Sequence, residues 1–353
     1  MSSGDLDLLE VNPRIRAALR RAKLRSVADV LCCGQDLHTL GLSRSDVQQL
    51  LKTAALACRR RRPITAATLR AHPSSLRLSV GCPVLDELLR GGLPAGSVTE
   101  LAGESGAGKT QLALQICLSV QYPVQHGGLH SGAVFISTED AFPSRRLQQL
   151  IREQPNLRSD IPQSLIDTIN FSNNIYIEHA ADLDSLQVCV TRRVPLLLTR
   201  GLVRLVVIDS VAALFRSEFQ ASDWLERNRQ LISFSSKLHQ LSQEYDIPVL
   251  CVNQVTDVFS TSDDTLGYST QSNADMEFLT VNIPLSSSVS PALGLAWANQ
   301  VTVRLMMQRL QRTVSHGDQQ SALRRLEVVF APHLARDGQE AAVWREGVRG
   351  VQS

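Results

Sequence analysis

The chain has 353 residues, of which 43% are hydrophobic and 20% are charged, and its formal net charge is +2. This length accommodates one large α/β domain and a small additional one, and the near-neutral charge excludes a uniformly basic nucleic-acid binder. No apolar run approaches the roughly 20 residues that a membrane-spanning helix needs, and the N-terminus lacks the order of a secretory signal. We therefore expect a soluble intracellular protein whose seven scattered cysteines are reduced, small apolar residues.

Residues 1–58 are expected to form a small helical domain. Apolar residues recur at helical spacing between Leu8 and Leu51, and Asn12-Pro13 is typical of a helix cap followed by a first-turn proline. Short helices with tight turns, such as the one at Leu40–Ser43, are compatible with a helix-hairpin-helix module that presents backbone amides to phosphates. A docking or packing unit without DNA contact fits this pattern equally well.

Residues 59–75 are predicted to be a linker. Arg59–Arg62 carries four like charges, and Pro63, which disfavours a helix, follows directly. A nuclear-import signal or a set of phosphate contacts is the alternative to a solvated linker.

From residue 76 to residue 353, stretches with strand character alternate with helical patterns. Strands are predicted at Val98–Leu101, Ala133–Ser137, Ile175–Glu178, Leu205–Ile208 and Val249–Asn253. Helices are predicted at Lys109–Gln121, Ser144–Arg152, Leu183–Arg193 and Asp223–Tyr245. Buried strands separated by helices indicate an α/β fold with a mostly parallel sheet covered on both faces. Residues 257–290 are rich in Ser, Thr and Asp, and such a long irregular stretch indicates a functional or disordered segment.

A glycine-rich loop lies between the first of these strands and the first of these helices. It consists of Gly103, Glu104, Ser105, Gly106, Ala107, Gly108, Lys109 and Thr110. Glycines let backbone amides turn inward around phosphate oxygens, and the following helix N-terminus assists them. Lys109 is placed to reach the β- and γ-phosphates, and the Thr110 hydroxyl to bind magnesium. The loop therefore predicts a site for ATP and Mg²⁺.

Polar residues end three further strands. Asp209 follows the apolar run Leu205–Ile208, where its carboxylate can hold the magnesium ion through water. Glu139 is the candidate for orienting a water molecule at the γ-phosphate, and Gln254 is the candidate for sensing that phosphate. A plain polar strand cap is the alternative for either residue taken alone.

The order of these motifs resembles the core of the RecA-type recombinases, and specifically their eukaryotic paralogues. The resemblance rests on Leu78–Asp86, Gly91–Pro94, Gly108–Gln111, Thr138–Phe142 with Arg146-Leu147, Leu205–Ser210 and Asn253–Val255. It implies a RecA-like P-loop ATPase core preceded by an all-α domain, and a weak DNA-dependent ATPase activity. It also implies homologous-recombination repair of double-strand breaks and crosslinks in the nucleus, with a cytoplasmic pool.

The same resemblance implies partners and residue roles. The partners would be other recombinase paralogues, especially the C paralogue of the main recombinase, then the main recombinase itself, and single-stranded or branched DNA. Glu139 would act as the catalytic carboxylate together with Lys109 and Gln254. Gln111 would contribute to the nucleotide site, and Arg146 would stack on the adenine.

Two DNA-binding loops are implied by the resemblance, near residues 216–229 and 256–291. In the first loop, Arg216, Arg227 and Arg229 offer phosphate contacts and Trp224 offers a stacking face. Cationic and aromatic side chains together are typical of single-strand binding.

Three features depart from the family pattern. The segment that docks into a neighbour reads Ile64-Thr65-Ala66-Ala67, so Ile64 replaces an aromatic residue and Ala67 keeps the small one. Phe330 stands where recombinases place an acid that contacts a neighbour's ATP. The second DNA loop lacks a clear basic cluster. These departures favour a heteromeric complex over long filaments of this chain.

Three functions remain open from the sequence. The first is an ATPase that remodels recombinase filaments on DNA. The second is a scaffold whose bound ATP stabilises a heteromeric interface with little hydrolysis. The third is another RecA-core machine, such as a hexameric helicase or a clock-type kinase, which the N-terminal helical unit and the docking segment disfavour.

Overall fold

The computed structural model describes residues 11–22, 24, 30, 37, 40–58, 76–139, 141–257 and 289–351. The chain divides into two compact units, residues 1–74 and residues 75–353. The predictions for Arg59–Arg62, for the docking residues Ile64 and Ala67 and for most of the second DNA loop therefore lie outside the described residues.

The N-terminal unit contains the helices α1 (Pro13–Arg21) and α2 (Arg44–Cys58). The Asn12 side chain accepts a hydrogen bond of 3.1 Å from the backbone N–H of Arg14, as expected of a capping residue before a first-turn proline. The buried residues of this unit form a separate apolar cluster. Because both helices contribute to it, the unit has a core of its own.

The C-terminal unit is organised by a nine-stranded sheet in the order β13-β12-β11-β10-β3-β7-β6-β4-β5. The strands of this unit are β1 (Arg77–Leu78), β2 (Leu93–Pro94), β3 (Ser97–Gly103), β4 (Gly132–Ser137), β5 (Ile175–His179), β6 (Val203–Asp209), β7 (Pro248–Asn253), β8 (Val255–Asp257), β9 (Val289–Pro291), β10 (Val303–His316), β11 (Gln319–Phe330), β12 (Gly338–Val343) and β13 (Val348–Gly350). Six neighbouring strands of this sheet are parallel, namely β10, β3, β7, β6, β4 and β5. The other three, β11, β12 and β13, extend the sheet beyond β10 as antiparallel neighbours. The mostly parallel RecA-like sheet that the sequence predicted is confirmed.

Helices cover both faces of this sheet. They are α3 (Pro83–Leu88), α4 (Lys109–Ser119), α5 (Ser144–Arg152), α6 (Gln154–Leu157), α7 (Gln163–Ile166), α8 (Leu183–Val188), α9 (Val194–Thr199), α10 (Val211–Ser217), α11 (Trp224–Tyr245) and α12 (Gly294–Ala298). Alternate residues of one strand enter opposite cores: Phe135 of β4 packs in one apolar cluster, and its neighbours Val134 and Ile136 pack in the other. This period of two on a strand that is buried on both faces explains its continuous apolar sequence.

Each of the five predicted strands is present, with ends that differ by at most two residues. The predicted helix over Leu183–Arg193 was wrong in its extent, since α8 ends at Val188 and a π-helical turn, Cys189–Arg193, joins it to α9. Pro195 lies in the first turn of α9, where its missing N–H is tolerated and the chain can continue helically. The four strands after residue 300 were not predicted.

Candidate functional site

The glycine-rich loop connects β3 to α4 at the carboxyl edge of the parallel strands. Gly103 has a φ of 155°, and a side chain there would place its Cβ 2.2 Å from the carbonyl oxygen of Met307 on the neighbouring strand β10. Gly108 has a φ of 105° and lies against Val343 and Arg324. Because β10 and its neighbours crowd the loop, glycine is required at both positions for the chain to turn.

Lys109, the first residue of α4, is folded back onto the loop. Its Nζ donates hydrogen bonds to the carbonyl oxygens of Gly103 at 2.7 Å and of Glu104 at 2.8 Å. Burial lowers the pKa of Lys109, while the carboxylates of Asp209 and Glu139 act in the opposite direction. A cation held next to the loop in this way is ready to exchange carbonyl oxygens for phosphate oxygens.

The two candidate metal ligands are in contact. The hydroxyl of Thr110 donates a hydrogen bond of 2.6 Å to Oδ2 of Asp209 at the end of β6. Burial raises the pKa of Asp209, and the bond from Thr110 and the charge of Lys109 offset part of that shift. A hydroxyl and a carboxylate this close together are hard oxygen ligands that would suit Mg²⁺.

Glu139 lies at the centre of a polar chain across the strand ends. Its Oε1 accepts a 2.6 Å hydrogen bond from the Ser210 hydroxyl and a second bond from Nε2 of Gln254. The Oε1 of Gln254 accepts in turn from the Arg216 guanidinium at 3.1 Å. The structure therefore connects the candidate catalytic carboxylate, the candidate phosphate sensor and a candidate DNA contact through side-chain hydrogen bonds.

Arg146 of α5 is held by four hydrogen bonds from its guanidinium group. Its guanidinium donates to Oε1 of Gln111 at 2.6 Å and of Gln149 at 2.6 Å, and to the carbonyls of Trp344 at 2.7 Å and Arg345 at 2.9 Å. Burial lowers the pKa of this guanidinium. These four hydrogen bonds use N–H groups that lie in the plane of the guanidinium.

These groups surround a cleft of about 990 Å³. Its lining includes Ser210, Gln149, Gln319, Arg324, Trp344 and Arg345, which the sequence did not identify. Ser210 directly follows Asp209, so its position after an apolar strand was a usable signal. The other lining residues that the sequence missed come from β11 and from the β12–β13 connection, and nothing in their local sequence indicates a site. They are Gln319, Arg324, Trp344 and Arg345.

All four candidate DNA residues lie in helices. Arg216 belongs to α10, and Trp224, Arg227 and Arg229 belong to the first turns of α11, so only residues 218–223 separate the two helices. The Trp224 side chain is 58% exposed, and Arg229 forms an ion pair of 2.9 Å with Glu226. Arg216 alone is connected to the nucleotide cleft, through Gln254.

Two negative findings apply to the part of the chain that the structure describes. None of its helices combines the length and apolar character that crossing a membrane requires. No group of three or more His, Cys, Asp or Glu side chains among those residues could hold a metal ion by itself.

The fold and the cleft define the class of protein. The parts of a RecA-like P-loop ATPase are a phosphate loop that enters a helix, an acid at the end of a second parallel strand and a polar residue at the end of the strand between them.

Comparison with known proteins gives the family. Residues 72–275 match the Rad51 family model, and residues 6–58 match the XRCC3/RpoA-like, helix-hairpin-helix domain. The DNA repair protein XRCC3 of Mus musculus is 50% identical over 98% of this chain and 98% of its own length. The DNA repair protein XRCC3 homolog of Arabidopsis thaliana is 36% identical over 81% of this chain and 96% of its own. The DNA repair protein RAD51 homolog 2 of Homo sapiens is 30% identical over 88% and 82%. The chain belongs to the Rad51 family, within its XRCC3 group of DNA repair proteins, which confirms the sequence-based resemblance.

Proposed function

We propose that this chain is an ATP-dependent DNA-binding protein of homologous recombination that acts within a heteromeric complex of recombinase paralogues. The complex includes the C paralogue of the main recombinase and assists the recombinase filament or processes branched DNA in the nucleus, with a cytoplasmic pool. ATP and Mg²⁺ are the cofactors. The observation that carries the proposal is the hydrogen-bonded chain Glu139–Gln254–Arg216.

The roles of the residues follow from their positions. Residues Gly103–Thr110 bind the phosphates through backbone amides, and Lys109 neutralises charge on the β- and γ-phosphates. Thr110 and Asp209 would hold Mg²⁺, whose charge would offset the negative charge of the phosphate groups. Glu139 orients the attacking water molecule, and Arg146 contacts the adenine.

Gln254 communicates between the two ligands. Its amide N–H bonds to Glu139 and its carbonyl oxygen accepts from Arg216. A γ-phosphate oxygen beside Glu139 would compete for that N–H, because the phosphate and the carboxylate are both anionic acceptors that form charge-assisted hydrogen bonds. Reorientation of the Gln254 amide then changes the partner of Arg216, which is a candidate DNA contact.

In this proposal, DNA binds next to α10 and the start of α11. Arg216, Arg227 and Arg229 supply cationic groups for phosphates, and the exposed ring of Trp224 supplies a stacking surface worth about 1–3 kcal/mol per base in comparable sites. The Ile64–Ala67 segment, in turn, is proposed to dock into a paralogue.

The substitution Glu139→Gln tests the enzymatic part of this proposal. Glutamine keeps the hydrogen bond from Ser210 but cannot accept a proton, so we expect hydrolysis to fall by about 10²-fold or to background, with ATP affinity within about threefold. Repair in cells should fail while the paralogue complexes stay intact. The control is Glu87→Gln, an exposed carboxylate outside the cleft. Unaffected repair by the Glu139 variant contradicts the proposal.

One observation favours the scaffold function instead. Phe330 packs against the apolar core and lies 5.3 Å from the Arg304 guanidinium, so no carboxylate extends from this position toward a neighbour's nucleotide. If bound ATP mainly stabilises the interface, Lys109→Ala should dissolve the paralogue complex while Glu139→Gln leaves it functional. Solution mass measured with and without ATP distinguishes the two functions, and a complex that survives without nucleotide counts against the scaffold.

A further inference from the structure

A buried carboxylate lies directly behind the phosphate loop. Glu100 of β3 is fully buried, three positions before Gly103. Its Oε1 accepts hydrogen bonds from Nδ2 of Asn253 at 2.5 Å and from Nε1 of Trp297 at 2.9 Å, and its Oε2 pairs with Nε of Arg304. We call these four residues the Glu100 cluster.

The Glu100 cluster is an unusual feature for the centre of a sheet. Removing two charges from water costs several kcal/mol per ion, and a buried ion pair offsets this only when additional hydrogen bonds satisfy both partners. Apolar residues of similar size give equal or greater stability in many such positions. Stability alone therefore does not account for an ion pair here, and a positioning role is the alternative.

Asn253 connects this cluster to the phosphate sensor. It directly precedes Gln254 at the end of β7, and its Nδ2 donates a second hydrogen bond of 2.9 Å to the carbonyl oxygen of Ala292. The backbone N–H of Ala292 donates 2.9 Å to the carbonyl oxygen of Gln254. Ala292 is therefore bound to both residues, one through a side chain and the other through the backbone.

Ala292 directly follows strand β9. Strand β8 begins at Val255 and pairs antiparallel with β9, which ends at Pro291. Asn253 and Gln254 therefore lie directly before β8 and bind Ala292, the residue directly after β9. Trp297 of α12, five residues beyond Ala292, contacts the cluster as well.

We propose that Glu100 is a positioning residue that, through Asn253 and Ala292, holds β8, β9 and Gln254 in register with the phosphate-loop strand and so couples ATP binding to DNA binding. This inference rests on the proposed function for the DNA ligand. It assigns a role to a carboxylate that contacts neither nucleotide nor the candidate catalytic residues. It differs from a purely structural role because loss of the contact should uncouple the two sites without preventing either from binding.

The substitution Asn253→Ala removes the connection and leaves the ion pair in place. In the full chain we expect ATP affinity to stay within about threefold, whereas the ratio of single-strand affinities with and without Mg·ATP falls from about tenfold to within twofold. The control Ser242→Ala removes a buried hydroxyl of α11 that has no hydrogen-bond partner among the described residues. A ratio that is unchanged in the Asn253 variant overturns the inference.

A second measurement needs no DNA and separates failure of the inference from failure of the proposed function. The chain has three tryptophans, and the double variant W224F/W344F leaves Trp297 as the single reporter next to Glu100. We expect Mg·ATP to shift the Trp297 emission more than Mg·ADP does, and Asn253→Ala to abolish that difference. Saturation with ATP without any shift, or a full shift in the Asn253 variant, overturns the inference. An absence of nucleotide-dependent DNA binding in the wild type, with the Trp297 shift retained, overturns the proposed function alone.

Discussion

At the scale of single residues, the orientation of Glu139 depends on its neighbours. The carboxylate is exposed, and a side chain of this length has several rotamers unless contacts select one. Ser210 provides such a contact and is itself fixed, because its backbone N–H donates 2.9 Å to the Thr138 hydroxyl and its carbonyl accepts 2.6 Å from the same group. Ser210 is thus a positioning residue for Glu139.

Ser210→Ala should therefore lower turnover without weakening nucleotide binding. The variant keeps the backbone contacts with Thr138 and loses only the 2.6 Å bond to Glu139, a neutral-to-charged bond worth about 1.5–3 kcal/mol. Because only part of that energy bears on the reactive orientation, we expect single-turnover phosphate release to fall about three- to tenfold, with the ATP dissociation constant within twofold. Equal turnover in the variant and the wild type excludes the positioning role.

At the scale of helices and strands, the connection after β11 contains a histidine held in its neutral form. Nε2 of His333 lies 3.0 Å from a guanidinium nitrogen of Arg77 in β1. Burial lowers the pKa of His333, and the charges of Arg77 and Arg90 lower it further. A neutral ring accepts the Arg77 N–H, whereas a protonated ring would face two cations.

This arrangement predicts a pH dependence of stability. The pKa of His333 in the folded chain lies below its unfolded value of about 6.5, so the unfolded chain binds more protons as the pH falls through that value. The contribution of His333 to folding is therefore fully present above about pH 6.5 and decreases as the pH falls toward the folded-state pKa.

We expect His333→Gln to reduce the loss of thermal stability between pH 7.5 and pH 5.5. The control is His179→Gln, an exposed histidine at the end of β5. Melting temperatures of the three proteins measured across this range check the prediction, and equal pH slopes in the wild type and the His333 variant contradict it.

The strands that could be predicted from the sequence differ physically from those that could not. β4 and β7 are buried on both faces, so each is a largely apolar run that local pattern reveals. β10 is buried only over its first five residues and then alternates or is exposed, with Arg309 and Arg312 in that later part. Such a half-exposed strand has too weak a pattern to stand out, and its pairing with β3 depends on contacts across about 200 residues of sequence.

The same distinction applies to the candidate site. Four candidate site residues end parallel strands or follow them, namely Lys109, Glu139, Asp209 and Gln254. The topology brings them together at the carboxyl edge of the sheet, so the sequence could identify them as one site. Arg324 reaches the phosphate loop through a 2.9 Å bond to the carbonyl of Ala107. That contact could not be predicted because it depends on β11, a strand that the sequence pattern does not show.

At the scale of the whole molecule, the two units have separate apolar cores. The buried residues of the N-terminal unit form one cluster, and none of them belongs to the two clusters on the faces of the sheet. Each unit therefore buries apolar residues of its own, which is the condition for a unit to fold by itself. Among the described residues, those that line the nucleotide cleft belong to the C-terminal unit.

Removal of residues 1–75 should consequently leave ATP affinity within about twofold of the full chain. If the helix-hairpin-helix unit presents backbone amides to DNA phosphates, the shorter chain should bind single-stranded DNA more weakly and with a smaller salt dependence. Each lost phosphate contact reduces the slope of log affinity against log salt by about 0.7. Titrations of both proteins at several salt concentrations check this. An unchanged slope with unchanged affinity assigns the N-terminal unit to protein docking, and a loss of ATP binding shows that the C-terminal unit does not fold independently.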